Sequence, residues 1–293
     1  MKDPTVRESA VELPLRVSMT NEEFHRFSSF IESELGIKMP PGKKLMLEAR
    51  LQKRLRVLRL SSFGDYYKYV FEGKSGDSEL IFLIDAVTTN KTDFFREAGH
   101  FDYLRGNVLP ALAQEEGVGL RRPIAVWSAG CSTGEEPYTL AMVLSEFAAG
   151  VSGYRFTVLA TDISTRVLEA AHAGVYEEEK VEPVPMALRR KYLLRSKDRE
   201  QKLVRIAPAL RSLIQFRRLN LMDPDFGMRE QIDVIFCRNV VIYFDRATQE
   251  RLVGRLASCL RPGGYLFMGH SETLAGMQVP VSSVAPTVYR KVS

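Results

Sequence analysis

Cysteine is scarce. Cys131, Cys237 and Cys259 are the three in 293 residues, odd in number and far apart. That excludes a disulfide scaffold and leaves no Cys-x-x-Cys pair for zinc or redox work; they read as small, reduced core residues. No apolar run approaches the roughly 18 residues needed to cross a bilayer. The opening residues, Met1 to Glu8, lack the apolar stretch of a secretion signal. These absences lead to the expectation of a cytoplasmic protein with no direct membrane insertion. An excess of one charge is missing too: 41 basic against 36 acidic residues give +5, too mild to argue for nucleic acid. What remains is an ordinary globular balance, 45% hydrophobic and 26% charged, at a length that fits two domains.

The charge is unevenly spread. Lys38, Lys43, Lys44, Arg50, Lys53, Arg54, Arg56 and Arg59 lie within one stretch against the single acid Glu48. At about 100° per residue, Leu47, Leu51, Leu55 and Leu58 form one stripe, and the basic residues cover the rest of the circumference. Like charges on one helix repel, so this face reads as a docking surface for something acidic.

Residues 1–18 read as a flexible tail. Thr20-Asn21-Glu22-Glu23 is a capping box opening a helix with Phe24, Phe27 and Ile31. Pro40-Pro41-Gly42 breaks the chain before the basic helix, and further helices are expected at about 62–72 and 77–87. Residues 19–87 therefore form an all-helical N-terminal domain, 88–98 a linker, and 99–293 a second domain. In that second domain short apolar strands alternate with helices: 124–127, 156–162, 232–237 and 265–269, with helices from Pro137, at 165–173 and at 246–260. Such alternation predicts an α/β fold, a mostly parallel sheet covered on both faces. A charged stretch at about 176–212, with runs Tyr192-Leu193-Leu194 and Leu203-Val204-Arg205-Ile206, reads as a small antiparallel β insertion.

Ligands of open α/β sheets sit beyond the carboxyl ends of the strands. The first such loop, Ser128-Ala129-Gly130-Cys131-Ser132-Thr133-Gly134-Glu135-Glu136-Pro137, has glycines for close backbone approach. It is neither Gly-x-Gly-x-x-Gly nor a phosphate loop. Two acids at its helix start suit a cationic ligand. Thr133 and Glu136 match a capping box; Pro137, favoured at the first helical position, instead puts Glu136 at the cap, at the mouth of the site. Asp162, ending the next strand, is placed to bond ribose hydroxyls or to cap the following helix. Together these loops fit a nucleoside-bearing, partly cationic cofactor such as S-adenosylmethionine. Leu260-Arg261-Pro262-Gly263-Gly264 resembles a turn of Rossmann-type methyltransferases. No Asn-Pro-Pro-Tyr type of run follows Cys237, which lowers the expectation of N-methylation.

Four longer motifs add a closer resemblance. Residues 88–97 (Thr88-Thr89-Asn90-Lys91-Thr92-Asp93-Phe94-Phe95-Arg96-Glu97), 127–138, 236–245 and Gly269-His270-Ser271-Glu272 resemble, in order and spacing, those of the CheR family of bacterial chemotaxis-receptor glutamate methyltransferases. The resemblance implies a Rossmann-like class I methyltransferase sheet. It implies cofactor contacts at Asn90, Thr92, Arg96, Glu136, Asp162, Asn220, Leu221, Arg238 and Asn239. Arg96 and Tyr243 match residues near the transferred methyl and the incoming carboxylate. Arg50, Arg54 and Arg56 match a receptor-facing helix, so acidic helices of chemoreceptors are the implied partner. The insertion matches a subdomain that grips a receptor tail peptide in some members. Its loop here, Arg195 to Lys202, has no glycine, which argues against tail binding.

A glutamate carboxylate is ionised above its reference pKa of about 4.3, so it attacks a sulfonium methyl without a general base. The rival readings are a methyltransferase of this fold with another carboxylate acceptor, and a catalytically silent receptor-binding module. His270 beside Ser271 and Glu272 is expected to bond locally, since no Gly-x-Ser-x-Gly elbow is present. His25, His100 and His172 lie far apart in sequence and suggest no metal site. Trp127 reads as core, and Phe94 and Phe95 as packing that holds the linker.

Overall fold

The computed structural model describes residues 17–73, 76–228 and 231–292; most of the expected tail, residues 1–16, lies outside them. The chain forms two compact units, one ending at Val87 and the other running from Thr88 onward, with Phe30–Lys38 grouped with the second.

The first unit is helical, with α1 (Asn21–Leu35), α2 (Lys44–Leu58), α3 (Phe63–Phe71) and α4 (Gly76–Val87). The expected capping box opens α1: Thr20 N donates to Glu23 Oε2 at 2.8 Å, and Glu23 N donates to Thr20 Oγ1 at 3.1 Å. On α2 the leucine stripe turns inward. Leu47, Leu51 and Leu55 are fully buried, each contributing about 2 kcal/mol of apolar burial, beside Phe63, Tyr66 and Leu83. Arg59, with φ of 55°, ends the helix in a left-handed cap.

The basic face is less uniform than the helical wheel predicts. Arg54 grips the buried Glu79 with two bonds, 2.8 and 2.6 Å, and lies over the Phe82 ring at 4.0 Å; Tyr66 hydroxyl donates to the same carboxylate at 2.9 Å. Arg50 donates to the Val87 carbonyl. Lys53, Arg56 and Arg59 stay exposed. Long aliphatic stems let arginines fold back wherever a buried acceptor lacks a donor.

The second unit carries the expected Rossmann-like α/β sheet. A helical run opens it: α5 (Gly99–Tyr103), a π-helical turn over Leu104–Val108, and α6 (Leu109–Glu116). Then follow β1 (Ile124–Ala129), α7 (Glu135–Gly150), β2 (Phe156–Asp162) and α8 (Thr165–Ala173). The antiparallel insertion comes next, with β3 (Val175–Glu177), α9 (Met186–Tyr192), β4 (Leu193–Arg195) and β5 (Leu203–Ile206) in the order β3-β5-β4. After α10 (Pro208–Arg211) come β6 (Ile214–Arg218), β7 (Ile232–Cys237), α11 (Arg246–Cys259), β8 (Leu260–Met268), β9 (Val281–Ala285) and β10 (Val288–Lys291). The sheet order is β6-β2-β1-β7-β8-β10-β9. Pairs through β8 are parallel and the two involving β10 are antiparallel.

Strands buried on both faces need apolar residues at successive positions. Val234 and Phe236 of β7 join one core and Ile235 and Cys237 the other, as Val126 and Trp127 do on β1. The chain leaves β1 toward β2 and β6, then returns to the other side as β7. The crevice at this reversal, beyond the carboxyl ends of β1 and β7, is where such sheets hold ligands.

Differences from the sequence expectation sit at the edges. The run 99–116, strand β6 and the hairpin β9–β10 were not predicted: β6 carries two arginines, and β9 is mostly exposed. The Pro262-Gly263-Gly264 turn is not separate from the fourth strand but lies within β8, which pairs from Leu260 opposite Ile232 with a register shift.

Arg54→Ala is expected to lower the unfolding free energy by about 2–4 kcal/mol, because Glu79 would stay buried without its cation. Exposed Arg56→Ala is expected to cost under about 0.5 kcal/mol. Urea unfolding of both variants checks this, and equal losses would contradict it.

Candidate active site

The carboxyl ends of β1, β2 and β7 are tied together at the reversal. After β1 the loop turns at Gly130 (φ 82°), where a Cβ would stand 2.5 Å from Val240 Cγ2. Gly130 N and Cys131 N both donate to Thr161 O at the end of β2, at 2.8 and 2.9 Å. Ser132 N donates to Asp162 Oδ2 at 2.9 Å, and Ser132 Oγ donates to Asn90 O at 3.0 Å, tying the linker to this loop.

Neither local expectation for Glu136 holds. Helix α7 begins at Glu135 with Gly134 (φ 99°) as its cap, so Glu136 is the second helical residue and Pro137 the third. A left-handed glycine sets the cap, and proline is tolerated throughout the first turn, where backbone N–H groups have no helical partner. Thr133 Oγ1 donates to Glu135 Oε2 at 2.7 Å rather than forming a box with Glu136. The helix-start acids are engaged within the protein. Glu135 is buried, which raises its carboxyl pKa, and the Thr133 hydroxyl partly offsets this. Asp162 does not cap α8 either: Ser164 does so through Val167 N, while Asp162 Oδ1 accepts from Ser164 N at 3.0 Å.

Arg238, just past β7, is the hub. Its side chain is 2% exposed. Nε donates to Glu136 Oε2 at 2.7 Å, and Glu136 Oε1 accepts from Ser128 Oγ at 2.7 Å. Arg238 Nη1 donates to the Arg96 carbonyl at 2.7 Å and meets His100 Nδ1 at 3.1 Å and Glu97 Oε2 at 3.4 Å. Asn239 follows in a left-handed conformation, φ 59°, with Nδ2 donating to Glu97 Oε1 at 3.3 Å. Burial alone would raise the Glu97 carboxyl, but the His270 N–H, the Arg238 charge and the Asn239 amide hold it below its ordinary value.

His100 is locked in one tautomer. Thr287 hydroxyl donates to Pro286 O at 2.8 Å, so its oxygen accepts from His100 Nε2–H at 2.8 Å, leaving Nδ1 to accept from Arg238. Burial first, then the Arg238 charge, push its pKa down to about 4. His270, read separately from the other histidines, stands beside His100: the two rings lie 5.1 Å apart, and their nitrogens and the Glu97 carboxylate fall within 4.8 Å of one another. These are metal-ligand residue types, and the Arg238 guanidinium meets two of them, Glu97 and His100.

The other motif positions are placed as follows. Thr92 O and Asp93 Oδ1 both accept from Lys180 Nζ of the insertion, at 2.6 and 2.7 Å, and Tyr176 hydroxyl donates to Thr133 O at 2.7 Å. Phe94 is buried edge-on to Tyr176, and Phe95 N donates to Thr139 Oγ1 at 3.2 Å, so both phenylalanines hold the linker. Arg96 Nη1 donates to Lys91 O at 3.0 Å. Leu219 N donates to Asp162 O at 2.9 Å, so Asn220 and Leu221 follow directly on a contact with the end of β2; Asn220 Nδ2 donates to Glu34 O at 2.8 Å, and Leu221 is buried in the core. Tyr243, half-buried, closes a 3₁₀ turn, and its carbonyl accepts from Lys38 N at 2.8 Å. Glu97, His100 and Glu272 carry no role in the sequence reading. Glu97 and Glu272 stand inside quoted motifs, which is the one signal that pointed to them.

The donor set fits a zwitterionic, ribose-bearing group: a carboxylate beside an arginine, Glu136 with Arg238, a second acid at the next strand end, Asp162, and an amide after the third, Asn239. Residues 90–289 match the "CheR methyltransferase, SAM binding domain", and residues 22–88 match the "CheR methyltransferase, all-alpha domain". The chain belongs to the CheR methyltransferase family. Its similarity to curated CheR relatives runs nearly end to end. A chemotaxis protein methyltransferase of Borreliella burgdorferi is 38% identical over 278 residues, 94% of this chain and 96% of that one. Chemotaxis protein methyltransferase 2 of Pseudomonas aeruginosa is 39% identical over 270 residues, 92% and 93% of the two chains. The Escherichia coli chemotaxis protein methyltransferase is 36% identical over 274 residues, 94% and 92%. The present CheR chain is therefore an S-adenosylmethionine-dependent methyltransferase.

The pH dependence follows from His100. An unfolded histidine titrates near 6.5. Between about pH 6.5 and 4 the unfolded chain binds a proton that the folded chain refuses. Stability is therefore complete above that window and is lost as the pH falls through it. His100→Gln is expected to flatten the fall in Tm between about pH 7 and 4.5 relative to wild type; equal slopes in the two proteins would place the titration elsewhere.

Proposed function

We propose that this methyltransferase esterifies glutamate side chains of chemoreceptors, giving glutamyl methyl esters in sensory adaptation. The observation that carries the reading is that the acids and bases of the site are already engaged. Glu97 and Glu136 face Arg238, His100 is buried and bonded at both nitrogens, and Asp162 accepts from two backbone N–H groups. A nucleophile that must first lose a proton has no committed base among these groups. A carboxylate, ionised at neutral pH, needs none.

Bound S-adenosylmethionine supplies an electrophilic methyl group on a sulfonium. In this reading Asn90, Thr92, Glu136, Asp162, Asn220, Leu221, Arg238 and Asn239 hold that cofactor, and Arg96 contributes to both sites. Arg96 turns from Lys91 O toward the incoming carboxylate, and Tyr243 hydrogen-bonds it. Their task is alignment in a partly dry site, where neutralisation of two opposite charges favours reaction. The helical unit would serve recognition. With Arg50 and Arg54 bonded inside it, the exposed Lys53, Arg56 and Arg59 are left to meet acidic receptor helices.

The names of the relatives support the chemotaxis setting, since all three are chemotaxis protein methyltransferases. A deprotonating mechanism would fall to His270, the exposed imidazole at the rim. The two mechanisms are separable. Labelled methyl transferred to a receptor cytoplasmic fragment is expected to be released by mild alkali as methanol, and to be absent when receptor glutamates are replaced. Arg96→Ala is expected to lower kcat/KM roughly 100-fold, whereas His270→Ala is expected to change kcat by under about threefold with no new limb near neutral pH. A large loss in His270→Ala, or alkali-stable label, would point to another acceptor chemistry.

A further inference from the structure

Glu272 is a buried acid with no cation. It is 3% exposed, and among the described residues no lysine or arginine stands within ion-pair distance of it. Its carboxylate instead gathers backbone N–H groups from two segments. Oε2 accepts from Gly269 N at 2.7 Å and from Asn239 N at 2.8 Å; Oε1 accepts from Ile242 N at 3.3 Å, and Val241 N also faces it. Glu272 N closes its own turn onto Gly269 O at 2.8 Å. Burial raises the carboxyl pKa, and the four N–H groups work against that.

A buried carboxylate held by backbone N–H groups without a cation is an expensive way to stabilise a fold; what it does well is fix directions. The segment it holds contains Asn239 in a left-handed conformation, φ 59°, which asparagine tolerates better than other non-glycine residues, and its N–H is fixed there by Glu272 Oε2. The same segment begins at Arg238, the hub of the site, and ends at Tyr243. We infer that Glu272 is the positioning residue of the 238–243 turn, setting Asn239 through one carboxylate oxygen and Tyr243 through the other. The part concerning Tyr243 rests on the role proposed for it above; the part concerning Asn239 rests on cofactor binding alone.

The two oxygens make the inference testable in halves. Glu272→Gln keeps the shape. An amide turned to preserve the short bonds from Gly269 and Asn239 sets its NH₂ against the Ile242 donor. Its affinity for S-adenosylhomocysteine, by calorimetry, is expected to stay within about threefold while kcat falls about tenfold. Glu272→Ala releases both halves and is expected to weaken S-adenosylhomocysteine binding about tenfold as well. In a cycle with Tyr243→Phe, the Gln substitution is expected to add little further loss of kcat, which a merely structural role would not produce.

Additive losses in that cycle, wild-type kcat in Glu272→Gln, or unchanged affinity in Glu272→Ala would each overturn the assignment. So would a Gln variant that no longer melts cooperatively above the assay temperature, since that returns Glu272 to a role in stability. A wild-type protein that methylates no receptor glutamate would sink the proposed acceptor but not this inference, because S-adenosylhomocysteine affinity is read without any acceptor.

Discussion

The Arg238 guanidinium is the interaction on which the site depends. It reaches three separate parts of the chain: the α7 start through Glu136, the linker through the Arg96 carbonyl, and α5 through His100. An arginine buried this deeply needs its donors matched in geometry and charge. Two carboxylates, Glu136 and Glu97, and a neutral imidazole supply that match. Because a fork of fixed donors tolerates little misplacement, the linker and two helix starts are held in one register with the end of β7.

Much of the architecture is legible in the sequence, and the reason is periodicity. Apolar runs with turn signals at both ends gave 156–162 and 232–237 as they stand, and the leucine stripe gave the buried face of α2. The parts that escaped have weak local signals. Strand β6 and the β9–β10 hairpin pair at sheet margins with charged or exposed residues, so neither alternation nor a continuous apolar run marks them. At the N-terminus of α7 two local rules compete, capping box and first-turn proline, and the left-handed Gly134 takes the cap in place of either candidate.

For the candidate site, local reading reached the strand-end loops and the kind of cofactor, and motif resemblance supplied positions that the fold gathers at one crevice. What it could not supply is partnership across long stretches of chain. Arg238 meets Glu136 and His100, Glu272 meets Asn239, and Arg54 meets Glu79, all through contacts no spacing rule encodes. That is why the helical wheel displayed Arg54 to solvent, and why the nearness of His100 to His270 has no local signal.

The insertion has a consequence for how ligands meet this molecule. Lys180 and the Tyr176 hydroxyl reach from it to the carbonyls of Thr92 and Thr133, so the insertion is tied to the linker and to the β1 loop. The chain entropy of fixing the linker and the β1 loop is then lost once, during folding, rather than again at each turnover. A cofactor that arrives and departs in every cycle meets loops already set, and its affinity is not reduced by the work of assembling them.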